Sequence, residues 1–296
     1  METDPASLDR RLRAIDWTQW PSGAVRDHVA VPSGSLARIA LGPPVGRRVV
    51  LVPGATGSKE DFLRVMPLLA AAGYRAESFD LAGQFESADA GPERISPPRE
   101  RYDLDLFVDD LIAMLAQGPA PAHVLGYSFA GTVAAVAAAR RPELVSTLTL
   151  LSTPPVSGRS LRGMKWVGWL AGQAPPRVSA ATLLWGIRLN LAGGGRIRHD
   201  FMRDRLRRTR LDSVRDIMAL MSDSPDVSAP LRGAGIPTLL AVGSRDLWPV
   251  RRHRVFADSL GATLAVYRAG HGPCETAPHQ LTADMLRLFA LADGTG

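Results

Sequence analysis

One cysteine, Cys274, occurs in 296 residues. It cannot close an internal disulfide, so a reducing, cytoplasmic compartment is expected. The remaining metal-ligating types are as poorly arranged. The histidines at 28, 123, 199, 253 and 279 are scattered, no Cys/His pair has ligand spacing, and no metal site is expected. No apolar run approaches the ~20 residues of a membrane-spanning helix. The opening METDPASLDRRLRAIDW is charged and has no apolar stretch, so a signal peptide is not expected. GATGSK fails the G-x-x-x-x-G-K-[ST] spacing of a phosphate loop, and no internal repeat appears. The net charge of +6 comes mostly from arginine and is accompanied by no nucleic-acid-binding motif, so nucleic acid is not an expected partner. What is present is 46% hydrophobic residues with 22% charged, enough for a large core.

Strand and helix patterns alternate along the chain. AVRDHVAVPSGSLARIAL reads as two short strands around Pro32-Ser33-Gly34, followed by the β-branched run RRVVLVPG. SKEDFLRVMPLLAAAG reads as one amphipathic helix, with Ser58 and Asp61 at capping-box spacing and Gly73 as its stop. YRAESFD is a strand. The helix DLDLFVDDLIAMLAQG places Leu104, Phe107, Val108, Leu111 and Met114 on one face. AHVLG, LVSTLTLLS, IPTLLAVG and ATLAVY are further strands, and helices are expected near 250–260 and 277–291. This order predicts a mostly parallel sheet with helices on both faces. The rhythm breaks once, between Leu151 and Pro237, where far more chain intervenes than a crossover needs. Residues 153–228 are therefore expected to form an inserted helical cap after the sixth strand, with 1–152 and 229–296 forming the core.

Between the strand AHVLG and an alanine-rich helix stands Gly126-Tyr127-Ser128-Phe129-Ala130-Gly131. A strand-to-helix turn this tight tolerates only small residues two places either side of the serine, here Gly126 and Ala130. It lifts the serine Oγ above the strand end, against the positive end of the helix. Taken alone, the pattern also fits an ordinary serine N-cap. A nucleophilic serine needs a base, and the base an orienting acid. Asp246 follows the strand IPTLLAVG and His271 follows ATLAVY, so all three lie just beyond strand carboxyl ends, where open α/β sheets place their sites.

From about residue 25 onward the chain resembles the α/β-hydrolase-fold serine hydrolases with a cap. The resemblance lies in GYSFAG, in PTLLAVGSRDLWPV, in AGHGPCETAP with its Glu275 and Pro278, in LVPGATGS and in FDLAGQFES. It departs at Pro53, at Ala82 and Gln84, and at Ala130 in the elbow's last place, and it leaves the cap unmatched. The family's α/β-hydrolase fold and Ser-His-Asp order imply Ser128 as nucleophile, His271 as base and Asp246 as acid. They imply an oxyanion hole from the backbone N–H groups of Ala55 and Phe129. The reaction implied is cofactor-independent hydrolysis of a small-molecule ester or thioester. The same site also serves C–C cleavage, acyl transfer, lyase or cyclisation chemistry, and the fold serves ligand binding with little turnover. Asp80 occupies the family's loop-ordering position.

Thr56, Tyr127, Trp166, Trp185 and Trp248 are the pocket-lining candidates. Leu161, Met164, Trp169 and Leu170 give the cap one apolar segment, and Val214, Ile217, Met218 and Met221 give it another. Residues 196–216 carry eight arginines against four aspartates. A solvated, salt-bridged helix face is the expectation, with a site for an anionic substrate, or contact with a membrane surface, as the alternatives.

Overall fold

The computed structural model describes residues 4–155 and 196–294. Its centre is an eight-stranded sheet: β1 (Val25–Val31), β2 (Gly34–Leu41), β3 (Arg48–Val52), β4 (Arg75–Phe79), β5 (Ala122–Tyr127), β6 (Val145–Leu151), β7 (Thr238–Gly243) and β8 (Thr263–Tyr267). The spatial order is β1-β2-β4-β3-β5-β6-β7-β8. Only β2 runs against its neighbours. Every residue of β3 is buried, as are nearly all of β5 and β6, because helices cover both faces of these central strands. The outer strands β1 and β8 are largely solvated.

Side-chain alternation divides the core. Val50, Val52, Val124, Leu148 and Leu150 point to one face. They pack there with α3 (Leu104–Ala116), α4 (Phe129–Arg140) and α8 (Val250–Leu260). Val49, Leu51, Leu125 and Leu239 point to the other, beneath α2 (Met66–Ala71) and α10 (Pro278–Asp293). Of the expected α3 face, Phe107, Val108, Leu111 and Met114 are fully buried and Leu104 partly so.

The helix expected over 58–72 is broken in two. The Ser58/Asp61 capping box forms, but it opens a short 3₁₀ turn, Lys59–Phe62, and the α-helix begins only at Met66. Pro67, with no N–H to donate back, sits in the first turn of the second piece, where helices tolerate it. Near the N-terminus, α1 (Pro5–Asp9) brings Asp9 onto the last helix. Its carboxylate accepts from the backbone N–H groups of His279 (2.9 Å) and Gln280 (3.1 Å) and from both side chains. Asp9 thus caps α10 from 270 residues away. Within 196–234 the chain forms α5 (Arg196–Arg208), α6 (Leu211–Met221) and α7 (Ser228–Ala234). α9 (Pro273–Thr276) is a short turn of helix after β8. No described helix is long and apolar enough to cross a membrane.

Candidate active site

The chain order reverses between β3 and β5, which lie side by side with β4 beyond one and β6 beyond the other. A crevice opens at such a switch point, and two loops meet there. One follows β3 and contains Gly54-Ala55-Thr56-Gly57, closed by the Gly57 N–H donating to the Gly54 carbonyl at 2.9 Å. The other is the turn at Ser128. A Cβ on Gly54 would lie 3.0 Å from the Ser128 Cβ, so glycine lets the first loop reach the serine.

Ser128 holds φ 53° and ψ −120°, costly for a residue with a side chain. Local packing forces this conformation. A Cβ on Gly126 would meet the Ala130 carbonyl at 2.4 Å, so strand and helix approach as closely as glycine allows, while Ala130 is fully buried in the helix's first turn. Ser128 makes no N-capping bond with its side chain. Its Oγ lies 3.1 Å from His271 Nε2, and His271 Nδ1 lies 3.0 Å from Asp246 Oδ1. With Nδ1–H donating to Asp246, Nε2 is left to accept the serine proton.

The loops that carry Asp246 and His271 are held together. The backbone N–H groups of Ser244 and Arg245 donate to the Tyr267 and Ala269 carbonyls, and a Cβ on Gly243 would strike the Gly270 carbonyl at 1.9 Å. The Asp246 side chain is wholly buried, and burial alone would raise its pKa. The hydrogen bond and charge of His271, with the Ser152 hydroxyl, outweigh burial and hold it below the usual carboxylate range. Ser152 ends β6 with φ 46°, fully buried. Its hydroxyl and Asp246 Oδ2 are both buried with no hydrogen bond at ordinary distance among the described residues, and the nearby hydroxyl helps to lower the Asp246 pKa.

Ala55 is partly buried, next to the glycine that reaches Ser128. Phe129 opens α4, so its N–H lacks an acceptor one turn back within the helix, and its ring is fixed edge-on to Phe107 at 5.3 Å. Both N–H groups therefore lie on the two loops that meet at the serine. Asp80, fully buried, accepts from the Lys59 backbone N–H (2.8 Å) and Nζ (2.9 Å) and so ties down the chain after the Ala55 loop. Burial pushes its pKa up to about 7, against the pull of Lys59.

Of the pocket candidates, Thr56 is buried in the turn at φ 57°. Tyr127 and Trp248 flank the imidazole, with ring centres 5.4 and 5.9 Å from that of His271. Burial raises the Tyr127 pKa well above its ordinary value. Trp248 is also set edge-on to His253, a buried histidine whose two ring nitrogens have no hydrogen-bond partner among the described residues and whose pKa burial lowers. Trp166 and Trp185, with Leu161, Met164, Trp169 and Leu170, lie outside the described residues. Among the described residues no group of three or more His, Cys, Asp or Glu could hold a metal ion. Cys274 is fully buried, and burial raises its thiol pKa.

The alpha/beta hydrolase family model matches residues 49–285. Two curated proteins match shorter stretches. One is a dihydrolipoyllysine-residue acetyltransferase component of an acetoin-cleaving system from Pseudomonas putida, 33% identical over 44% of this chain and 33% of that protein. The other is a pimeloyl-[acyl-carrier protein] methyl ester esterase from Chromobacterium violaceum, 42% identical over 24% of this chain and 26% of that protein. The chain thus aligns with about a third or less of either relative's length. Among solved structures, a hydrolase from Pseudomonas aeruginosa superposes with a TM-score of 0.72 at 22% identity, covering 90% of this chain and 99% of that one.

Proposed function

Because the chain belongs to the alpha/beta hydrolase family, we propose that it hydrolyses a carboxylic ester or thioester through Ser128, His271 and Asp246. The observation that carries this reading is the continuous relay from Ser128 Oγ through His271 to a buried, ionised Asp246, at 3.1 and 3.0 Å. His271 takes the Ser128 proton as Oγ attacks the acyl carbonyl, and the oxyanion forms against the N–H groups of Ala55 and Phe129. One such donor contributes about 3 kcal/mol to transition-state stabilisation. The imidazolium returns the proton to the departing alcohol or thiol, leaving the acyl group on Oγ. Water then attacks that acyl group, again losing its proton to His271, and the acid is released.

No step calls for a cofactor. The segment 153–228 is read as the cap, of which residues 156–195 lie outside the described residues, and a reducing cytoplasm suits the single buried thiol. The similarity to a methyl ester esterase favours an ester of a small or medium acid. The similarity to an acetyltransferase component supports a second outcome, in which an amine, alcohol or thiol takes the acyl group in place of water.

Labelling with a fluorophosphonate probe, wild type beside Ser128→Ala and His271→Ala, tests the reading. Labelling is expected to require both residues. A folded wild type that reacts with no probe overturns it. Product analysis with p-nitrophenyl esters, with and without an added alcohol or amine, separates hydrolysis from transfer.

A further inference from the structure

Two arginines of the 196–216 run are not on a solvated face. Arg198 and Arg205 stand seven residues apart on α5, about two turns, and therefore share one side of the helix. Each is 4% exposed. Arg205 Nη1 donates to Asp61 Oδ1 at 2.6 Å and to Ser58 Oγ at 3.1 Å. Arg198 Nη2 donates to the same Asp61 oxygen at 3.4 Å. Arg198 also grips both carboxylate oxygens of Glu275, with Nε at 3.2 Å. Trp17 stacks 4.1 Å from the Arg198 guanidinium, and Phe201 lies under both arginines. By contrast, Arg196 and Arg203 are exposed and face Asp200.

The anchors sit on the two loops that flank Ser128. Ser58 and Asp61 form the capping box that ends the Ala55 loop. Glu275 lies four residues past His271, in α9. One rigid helix thus bonds to the loop bearing a proposed oxyanion donor and to the loop bearing the proposed base. The cluster sets two arginines against two carboxylates, so both guanidinium groups are engaged by protein carboxylates, with Arg198 Nη1 and Arg205 Nε left without a hydrogen-bond partner among the described residues.

We infer that Arg198 and Arg205 are positioning residues, which set the spacing between the Ala55 loop and the His271 loop across the serine. The inference rests on the serine-hydrolase reading above. Neither arginine touches the reacting atoms; each acts through the loop it holds. Asp61 is the hub because one of its oxygens receives both arginines, while its other accepts the Ser58 backbone N–H at 3.3 Å.

The test compares fluorophosphonate labelling rates and p-nitrophenyl ester kinetics for wild type, Arg198→Gln, Arg205→Gln and, as an exposed control, Arg203→Gln. Loss of either buried arginine is expected to lower kcat and the labelling rate by about 10- to 100-fold, the scale of a displaced catalytic group. KM should stay within about threefold, because ground-state binding is not removed. Arg203→Gln should behave as wild type. Folded Arg198 and Arg205 variants with wild-type kcat overturn the inference, as does a rise in KM alone, which would make the arginines substrate-binding groups. If the arginine variants fail to fold, the near-isosteric Asp61→Asn and Glu275→Gln decide by the same criteria. A wild type that does not label removes the serine-hydrolase reading and this inference with it, a result distinct from labelling that the variants leave unchanged.

Discussion

The two ends of the sheet are built from different backbone. At the carboxyl ends of the parallel strands, Thr56, Phe85, Ser128 and Ser152 hold φ between 45° and 57°. They follow β3, β4, β5 and β6 in turn. At the opposite end, every described residue with positive φ is glycine, as at Gly235 before β7 and Gly261 before β8. Left-handed backbone at a residue with a side chain costs about 1–3 kcal/mol, and at glycine almost nothing. The strained end carries the crevice, and the relaxed end carries none of Ser128, Asp246 and His271. Among the described residues, such strain occurs only at the end with the crevice, where Ser128 meets His271 and Ser152 adjoins Asp246.

The sharpest way to break this contrast is Ser128→Gly. It should reduce ester turnover by about 10⁴-fold or more while raising stability by about 1 kcal/mol, read as an upward shift in Tm. An unchanged or lower Tm would mean that the turn is not strained. A second measurement probes the relaxed end. His123, 1% exposed on β5, bonds Thr147 at 2.9 Å and stacks on Phe289 of α10. Burial lowers its pKa to about 4. The unfolded chain therefore binds a proton near pH 6.5 that the folded chain refuses until about pH 4. Stability must fall as pH drops through that window, by about 2–3 kcal/mol from this group. His123→Phe should flatten the urea midpoint between pH 6.5 and 4 relative to wild type, with ester turnover at neutral pH preserved. The smallest effect belongs to Gly261→Ala. Nothing lies within 4 Å of the added methyl group, so only the φ of 67° resists it. Stability should fall by about 1 kcal/mol with kcat unchanged.

Much of the fold and of the relay was legible because both rest on local patterns. Short β-branched runs, each closed by a tight turn, place Ser128, Asp246 and His271 at one end of any parallel sheet. The 196–216 run was harder, since its charge pattern is that of a solvated helix. The carboxylates that bury Arg198 and Arg205 stand 77 and 144 residues away at Glu275 and Asp61. No local rule pairs them, although Asp61 in the capping box and Glu275 beside the histidine were each visible. Pro67 was a sufficient signal for the broken helix at 58–72. Tyr127 and Trp248 were found as residues near the site, but their place against the imidazole follows from strand ends that only the folded sheet brings together. Ser152 has no sequence signature, because its use comes from a backbone angle.

The bond between Asp9 and α10 bears on synthesis. Asp9 leaves the ribosome some 270 residues before the N–H groups it caps. At ordinary elongation rates that is a delay on the order of tens of seconds. Until residues 279 and 280 emerge, the first helix has no partner and the last has no cap, and the loop carrying His271 has only just appeared. A nascent chain can therefore form the turn at Ser128 well before Asp246 and His271, the side chains that line up with it, have been made.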